Sequence, residues 1–151
     1  MRLYDAFAPS GNGYKVHLLA SHLGLRLETV DLDTLATPSE TPRPEFLEKN
    51  PNGRIPVLEL EGGRFLPESN AILFYLAEGT PYLAETSFER AQTLQWMFFE
   101  QYSHEPTVAV LKPWTYWHDL DPAHPHDVDR WRTRGQAALD VMAAELARRD
   151  F

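Results

Sequence analysis

Hydrophobic and polar positions change their period along the chain, and the changes mark its organisation. Leu3 and Tyr4 place a strand over Arg2 to Tyr4, and the 3.6-residue spacing of Val16, Leu19, Ala20 and Leu23 predicts a helix from Gly11 to about His22, with Gly24 behind it. Leu25, Leu27 and Val30 mark a second strand near Arg26 to Val30, so the chain opens as a βαβ unit. A polar stretch with Pro38, Pro42, Pro44 and Pro51 leaves room only for a short helical segment around Glu45 to Lys49. Val57 to Leu60 and Arg64 to Leu66 then read as strands of a hairpin through Glu61-Gly62-Gly63. Ser69 caps a helix whose apolar face is Ile72, Leu73 and Leu76.

From Thr86 onward the pattern is helical only. Thr86-Ser87-Phe88-Glu89 has the form of a capping box, and Ala91, Leu94, Phe98 and Tyr102 follow at helical spacing, with Pro106 as a kink and Pro113 as a stop. Trp114 to Pro125 is a loop rich in Asp, His and Pro. Val128, Trp131, Leu139, Met142 and Leu146 mark one face of a last helix. The expected division is a mixed α/β domain over residues 1–79, a linker over 80–86 and an all-helical part over 87–151.

Composition narrows the chemistry. A hydrophobic content of 43% with 12% aromatics suffices for a packed core. The net charge is −8 and the 14 Lys and Arg are scattered apart from Arg148-Arg149, which argues against nucleic acid and anionic membranes as partners. No apolar run approaches the ~20 residues of a membrane span. Asp5 interrupts what would be the core of a signal peptide, so a cytoplasmic location is expected. The chain has no cysteine, so any sulfur chemistry must be done by a ligand.

Pro9-Ser10-Gly11-Asn12-Gly13 opens the first helix. Backbone N–H groups there lack intrahelical partners and carry the positive end of the helix dipole, which favours an anion. A serine hydroxyl adds a donor, and a thiol that ionises to a thiolate is one fitting guest. Taken alone, Ser10 or Asn12 reads better as a helix cap. Gly11-x-Gly13 is not a dinucleotide fingerprint, because Val16 stands where the third glycine belongs. His118, Asp119, Asp121, His124, His126 and Asp127 lack metal-site spacing and read as a solvated loop, so no metal is expected.

Ser10-Gly11-Asn12-Gly13-Tyr14-Lys15-Val16, Asn50-Pro51-Asn52-Gly53-Arg54-Ile55-Pro56-Val57-Leu58 and Pro67-Glu68-Ser69-Asn70-Ala71-Ile72 occur in that order. Together they resemble the cytosolic glutathione transferases, in particular their bacterial serine-type members. The resemblance implies a thioredoxin-like N-terminal domain, βαβ then ββα with a mixed four-stranded sheet, followed by an all-α domain truncated after its second helix. It implies that Ser10 is the hydroxyl bonded to the glutathione sulfur, with Asn12 as a second donor. Tyr4 is the rival hydroxyl, although its place inside a strand suits a packed aromatic. The same resemblance implies a cis Ile55-Pro56 bond whose backbone pairs with the cysteinyl residue, and Glu68 and Ser69 as holders of the γ-glutamyl end. Arg54 and Arg43 are candidates for the glycyl carboxylate.

The activity implied is that of a glutathione transferase, in which the thiolate of the co-substrate glutathione attacks an electrophilic small molecule. A noncatalytic glutathione-binding scaffold and a glutathione-dependent peroxide or disulfide reductase are the alternatives. Trp96, Phe99, Tyr102, Trp114, Tyr116 and Trp117 are candidates to line the pocket of a hydrophobic electrophile. Because the family's helical domain runs on beyond a fifth helix while this chain ends at Phe151, a homodimer or a fragment is expected.

Overall fold

The computed structural model describes residues 1–8, 10–111 and 125–148, with the side chains of Pro125 and His126 excepted. The expectations placed on Pro9, Pro113, Trp114, Tyr116, Trp117, His118, Asp119, Asp121, His124 and the His126 side chain lie outside the described residues. By internal contacts the chain divides into two units, Met1–Ala84 and Glu85–Phe151.

The first unit is built on β1 (Arg2–Ala6), α1 (Gly11–His22), β2 (Glu28–Leu32), α2 (Pro44–Leu47), β3 (Val57–Leu60), β4 (Arg64–Pro67) and α3 (Ser69–Ala77). The four strands run in the order β2-β1-β3-β4. β1 pairs parallel with β2 and antiparallel with β3, and β3 pairs antiparallel with β4. This is the mixed four-stranded sheet with helices expected of a thioredoxin-like domain. Alternation along the strands sends Leu3 and Leu58 to one face, where they meet Val16 of α1 and Ile72 and Leu76 of α3. Tyr4 and Val57 face the other way, against Phe46 of α2. Leu3, Val16, Leu58 and Ile72 are fully buried, each contributing about 1.5–3 kcal/mol.

β2 starts two residues later than expected, at Glu28, because the parallel ladder runs from Arg2–Glu28 to Ala6–Leu32. Leu25 and Leu27 still pack on the core, but from the connection that precedes the strand. That connection leaves α1 through Gly24, whose φ of +65° is the left-handed conformation that ends helices.

In the second unit, α4 (Ser87–Phe99) is capped by Thr86, whose Oγ1 accepts from the Glu89 N–H at 3.3 Å and donates to the Glu89 carboxylate at 2.6 Å. Pro106 does not end this helix. Residues Glu100–Ala109 continue it as a π-helix, whose i→i+5 bonding accommodates a proline that has no N–H to donate. Thr107, buried at this point, donates its hydroxyl to the carbonyls of Ser103 and His104 at 3.0 and 2.9 Å.

The apolar spacing of these helices coincides only in part with what they bury: Leu94, Val128, Trp131 and Met142 are buried or half-buried. Ala91, Phe98 and Tyr102 are exposed, whereas Trp96 and Phe99 are half-buried and meet edge to face at 5.3 Å between centroids. On α5 (Pro125–Leu146), Leu139 and Leu146 are exposed, and the buried line is Val128, Gly135 and Ala138. A Cβ on Gly135 would stand 3.3 Å from both Thr107 and Val108, so close approach of the π segment selects small residues there.

Candidate functional site

Ser10 is the N-cap of α1. Its backbone is extended, its carbonyl accepts from Tyr14 N–H at 2.8 Å, and its Oγ accepts from Gly13 N–H at 3.2 Å. Capping uses a lone pair of the hydroxyl and leaves its proton without a partner among the described residues. The same oxygen can therefore cap the helix and donate to a guest at the helix N-terminus.

The turn is fixed from beneath by a group not foreseen as part of the site. Asp5, on β1, is 6% exposed; its carboxylate accepts from the Ala6 N–H at 2.8 Å and pairs with His17 Nε2 at 3.2 Å. Burial holds this carboxyl above its ordinary range, and the Ala6 N–H and His17 pull in the opposite direction. Gly13 lies so close that a Cβ there would fall inside the Asp5 carboxylate. The residue that donates to Ser10 is thus also the residue that lets α1 settle on Asp5. The signal in the sequence is a helix-opening glycine that cannot be a C-cap.

Asn12 and Ser69 come together from elements far apart in the chain. Ser69 Oγ donates to Asn12 Oδ1 at 3.2 Å. Ser69 is not the cap expected: Glu68 holds the N-cap position, its carbonyl accepts from Ile72 N–H at 2.9 Å, and Ser69 is the first residue of α3. The Glu68 backbone has φ 71° and ψ 113°, a conformation that L-residues rarely adopt and that costs about 1–3 kcal/mol. Its side chain is exposed and has no partner among the described residues.

The Ile55–Pro56 bond is cis, as is Thr37–Pro38. Pro56 is buried, and the N–H and C=O of half-buried Ile55 make no hydrogen bond among the described residues. Asn50, 3% exposed, braces the loop that leads there: its Nδ2 donates to Arg54 C=O at 2.7 Å and its Oδ1 accepts from Asn52 N–H at 3.0 Å. Gly53 completes the loop at φ +61°. Sequence reasoning passed over Asn50 as a loop-builder, although an Asn two residues before another polar turn residue is an Asx-turn signal.

Arg54 is exposed, with no side-chain partner among the described residues. Arg43 is engaged by Glu40 at 2.9 Å. Tyr4 is 8% exposed and donates its hydroxyl to Glu59 at 2.8 Å, on the sheet face opposite α1, packed edge-on with Phe65. Burial, together with that bond, pushes its phenol above the ordinary range, which is the wrong direction for a group that should share its proton with sulfur. Among the described residues no cluster of His, Asp and Glu could hold a metal ion, and no helix is long and apolar enough to cross a membrane.

Residues 1–78 match the family described as glutathione S-transferase, N-terminal domain. The structure superposes on the crystal structure of a glutathione S-transferase from Pseudomonas fluorescens with a TM-score of 0.92 at 45% identity, covering 97% of this chain and 72% of that one. A structure of Ure2p in complex with glutathione gives a TM-score of 0.84 at 29% identity, over 98% and 68% of the two chains. In sequence, the chain is 34% identical to the disulfide-bond oxidoreductase YfcG of Escherichia coli over 149 residues, 93% of this chain and 66% of that protein. It is 33% identical to the protein URE2 of Eremothecium gossypii, of which it spans 40%. On the match across its first half and the likeness of its fold, the chain belongs to the glutathione S-transferase family.

Proposed function

We propose that the chain binds reduced glutathione across the carboxyl end of β1 and the N-termini of α1 and α3, and that it activates the thiol for attack on an electrophilic small molecule. The observation that carries this reading is the Ser10 hydroxyl: it accepts from Gly13 N–H, and its proton has no partner among the described residues, at the positive end of a helix. A thiol placed there is favoured as thiolate by the O–H donor and the helix dipole, and each pH unit by which its pKa falls corresponds to about 1.4 kcal/mol. Asn12 is a second donor. The backbone of Ile55, without a hydrogen bond among the described residues, would hold the cysteinyl residue as an added strand, and the first turn of α3 with Glu68 and Ser69 would hold the γ-glutamyl carboxylate and ammonium. Arg54, rather than Arg43, is the cation left for the glycyl carboxylate.

Because the chain has no cysteine, the thiolate reacts directly and no covalent enzyme intermediate forms. The likeness to YfcG supports a second reading, in which the thiolate attacks a disulfide, forms a mixed disulfide with one sulfur and expels the other as thiolate. Ser10→Ala is the test. Glutathione binding by calorimetry should persist while turnover falls roughly 10–100-fold, the worth of a hydrogen bond to a charged group. Unchanged turnover would remove Ser10 from the chemistry. Transfer to an aryl halide against reduction of a mixed disulfide separates the two readings, and binding with neither activity would leave a noncatalytic module.

A further inference from the structure

The end of α1 that favours an anion has one of its own before any ligand arrives. The Asp5 carboxylate, on β1 and 6% exposed, lies against Gly13 in the first turn of α1, so close that a Cβ on Gly13 would fall inside it. Gly13 N–H in turn donates to Ser10 Oγ at 3.2 Å, so one residue separates the buried carboxylate from the hydroxyl of the candidate site. The carboxylate is held in place from two sides: Ala6 N–H donates to Oδ1 at 2.8 Å and His17 Nε2 meets Oδ2 at 3.2 Å. His17 from α1 and Asp31, its ladder partner on β2, are the ionisable groups that act on it; the first offsets its charge when protonated and the second adds to it. Folding alone does not call for a charge here. Burial works against the ionised form, and an asparagine of the same shape would accept from Ala6 N–H as well. What a carboxylate adds is a negative field at the turn where a thiolate would sit, and like charges beside one helix end oppose each other.

We propose that Asp5 is a resident counter-charge beneath the N-terminus of α1 that restrains ionisation of the glutathione thiol at Ser10. This rests on the binding reading above and adds to it a group that opposes the Ser10 hydroxyl and the helix dipole. The opposition has a chemical use, because a thiolate loses nucleophilicity as its pKa falls and the best attacking thiol has a pKa near the ambient pH. Asp5 tunes the sulfur through its field alone, which buried surroundings screen far less than solvent would.

The test uses the full chain with reduced glutathione. The thiol pKa of the bound tripeptide is read from thiolate ultraviolet absorbance against pH for the unaltered chain, Asp5→Asn, Asp5→Ser, Ser10→Ala and the Asp5→Asn/Ser10→Ala pair. Asp5→Asn keeps the shape and removes a buried charge, and should lower the bound thiol pKa by about half to one pH unit, about a three- to tenfold gain in thiolate over thiol at a given pH. Asp5→Ser, neutral but smaller, should move it the same way, because the effect follows charge and not shape. The shift should persist in the pair, since the field acts on the sulfur and not through the hydroxyl. Damage to the turn alone would disorder the Ser10 cap and raise the thiol pKa, so the direction separates a tuning role from a structural one. An unchanged or raised pKa in either Asp5 variant that folds, a shift that vanishes when Ser10 is alanine, or failure of both variants to fold would each overturn the proposal. Absence of glutathione binding by the unaltered chain overturns the function and this proposal together, whereas a bound thiol that responds to Ser10→Ala and ignores Asp5 overturns only the latter.

Discussion

Replacing Gly13 by alanine adds one methyl group at the point where β1, α1 and the candidate site meet. The new carbon would fall inside the carboxylate of Asp5, which is itself 6% exposed and held by Ala6 N–H at 2.8 Å and His17 at 3.2 Å. If the carboxylate moves, buried polar groups lose partners at about 1–3 kcal/mol each. If α1 moves instead, the packing of Val16 and Ala20 on the sheet is disturbed at about 1–3 kcal/mol. Against either stands the helix propensity gained from glycine to alanine, about 1 kcal/mol. The cheaper of the two responses sets the cost, so the net destabilisation is roughly 1–2 kcal/mol, or a fall in Tm of about 2–8 °C for a protein of this size.

Thermal denaturation followed by circular dichroism checks it. The carboxylate as the obstruction makes a sharper claim: Asp5→Ala in the Gly13→Ala background should recover part of the loss, with an interaction term of about 1–3 kcal/mol. Because Gly13 N–H also donates to Ser10 Oγ at 3.2 Å, Gly13→Ala should weaken glutathione activation below the melting transition as well. A Gly13→Ala protein that melts with the unaltered chain, or one that Asp5→Ala does not relieve, would refute the reasoning.

Burial raises the Asp5 pKa, so the folded state holds this proton after the unfolded chain has released it. Stability relative to Asp5→Asn should therefore fall as pH rises from the ordinary carboxylate range through the raised pKa, then stay flat, as urea denaturation at a series of pH values will show; a difference that grows with pH is the contrary outcome. Glu68→Gly removes the side chain from a backbone at φ 71°, and should raise stability by about 1 kcal/mol in thermal denaturation while weakening glutathione binding; unchanged binding would deny Glu68 a ligand role, and a fall in stability would deny the strain. Asn50→Ala takes from Arg54 C=O and Asn52 N–H the partners that a buried side chain supplies, and should cost about 1–2 kcal/mol by chemical denaturation together with glutathione affinity. Thr107→Val leaves the Ser103 and His104 carbonyls without their shared donor, and should lower stability by roughly 1 kcal/mol.

The elements of the first unit were legible because each is announced by short-range physics. Period-2 and period-3.6 spacing, a serine at an N-cap, and Gly24 where a helix must end act within a few residues. The second unit was harder for the same reason. Leu94, Trp96, Met97, Phe98 and Phe99 make α4 apolar on more than one side, so spacing alone admits two buried faces, and the π segment around Pro106 changes the phase partway. On α5 the buried positions include Gly135 and Ala138, where close approach of Thr107 and Val108 rewards absence of bulk, while Leu139 and Leu146 stay in solvent. A search for large apolar residues looks for the opposite signal.

Motifs named the candidate residues but not the bonds that tie them to other elements. Ser69 and Asn12 are 57 positions apart, and nothing local to either says that the serine proton belongs to the other's oxygen. Asp5 drew notice only as a charge in an apolar stretch, yet it underlies the glycine that donates to Ser10. In both cases a residue that looks sufficient as a helix terminus is tied to a second element by one hydrogen bond or one missing methyl. Helix capping and ligand activation therefore cannot be weighed as rivals at Ser10. Gly13 N–H donates to a lone pair of the Ser10 hydroxyl and leaves its proton without a partner among the described residues, so under the proposed function a change that spoils the cap should spoil the chemistry with it.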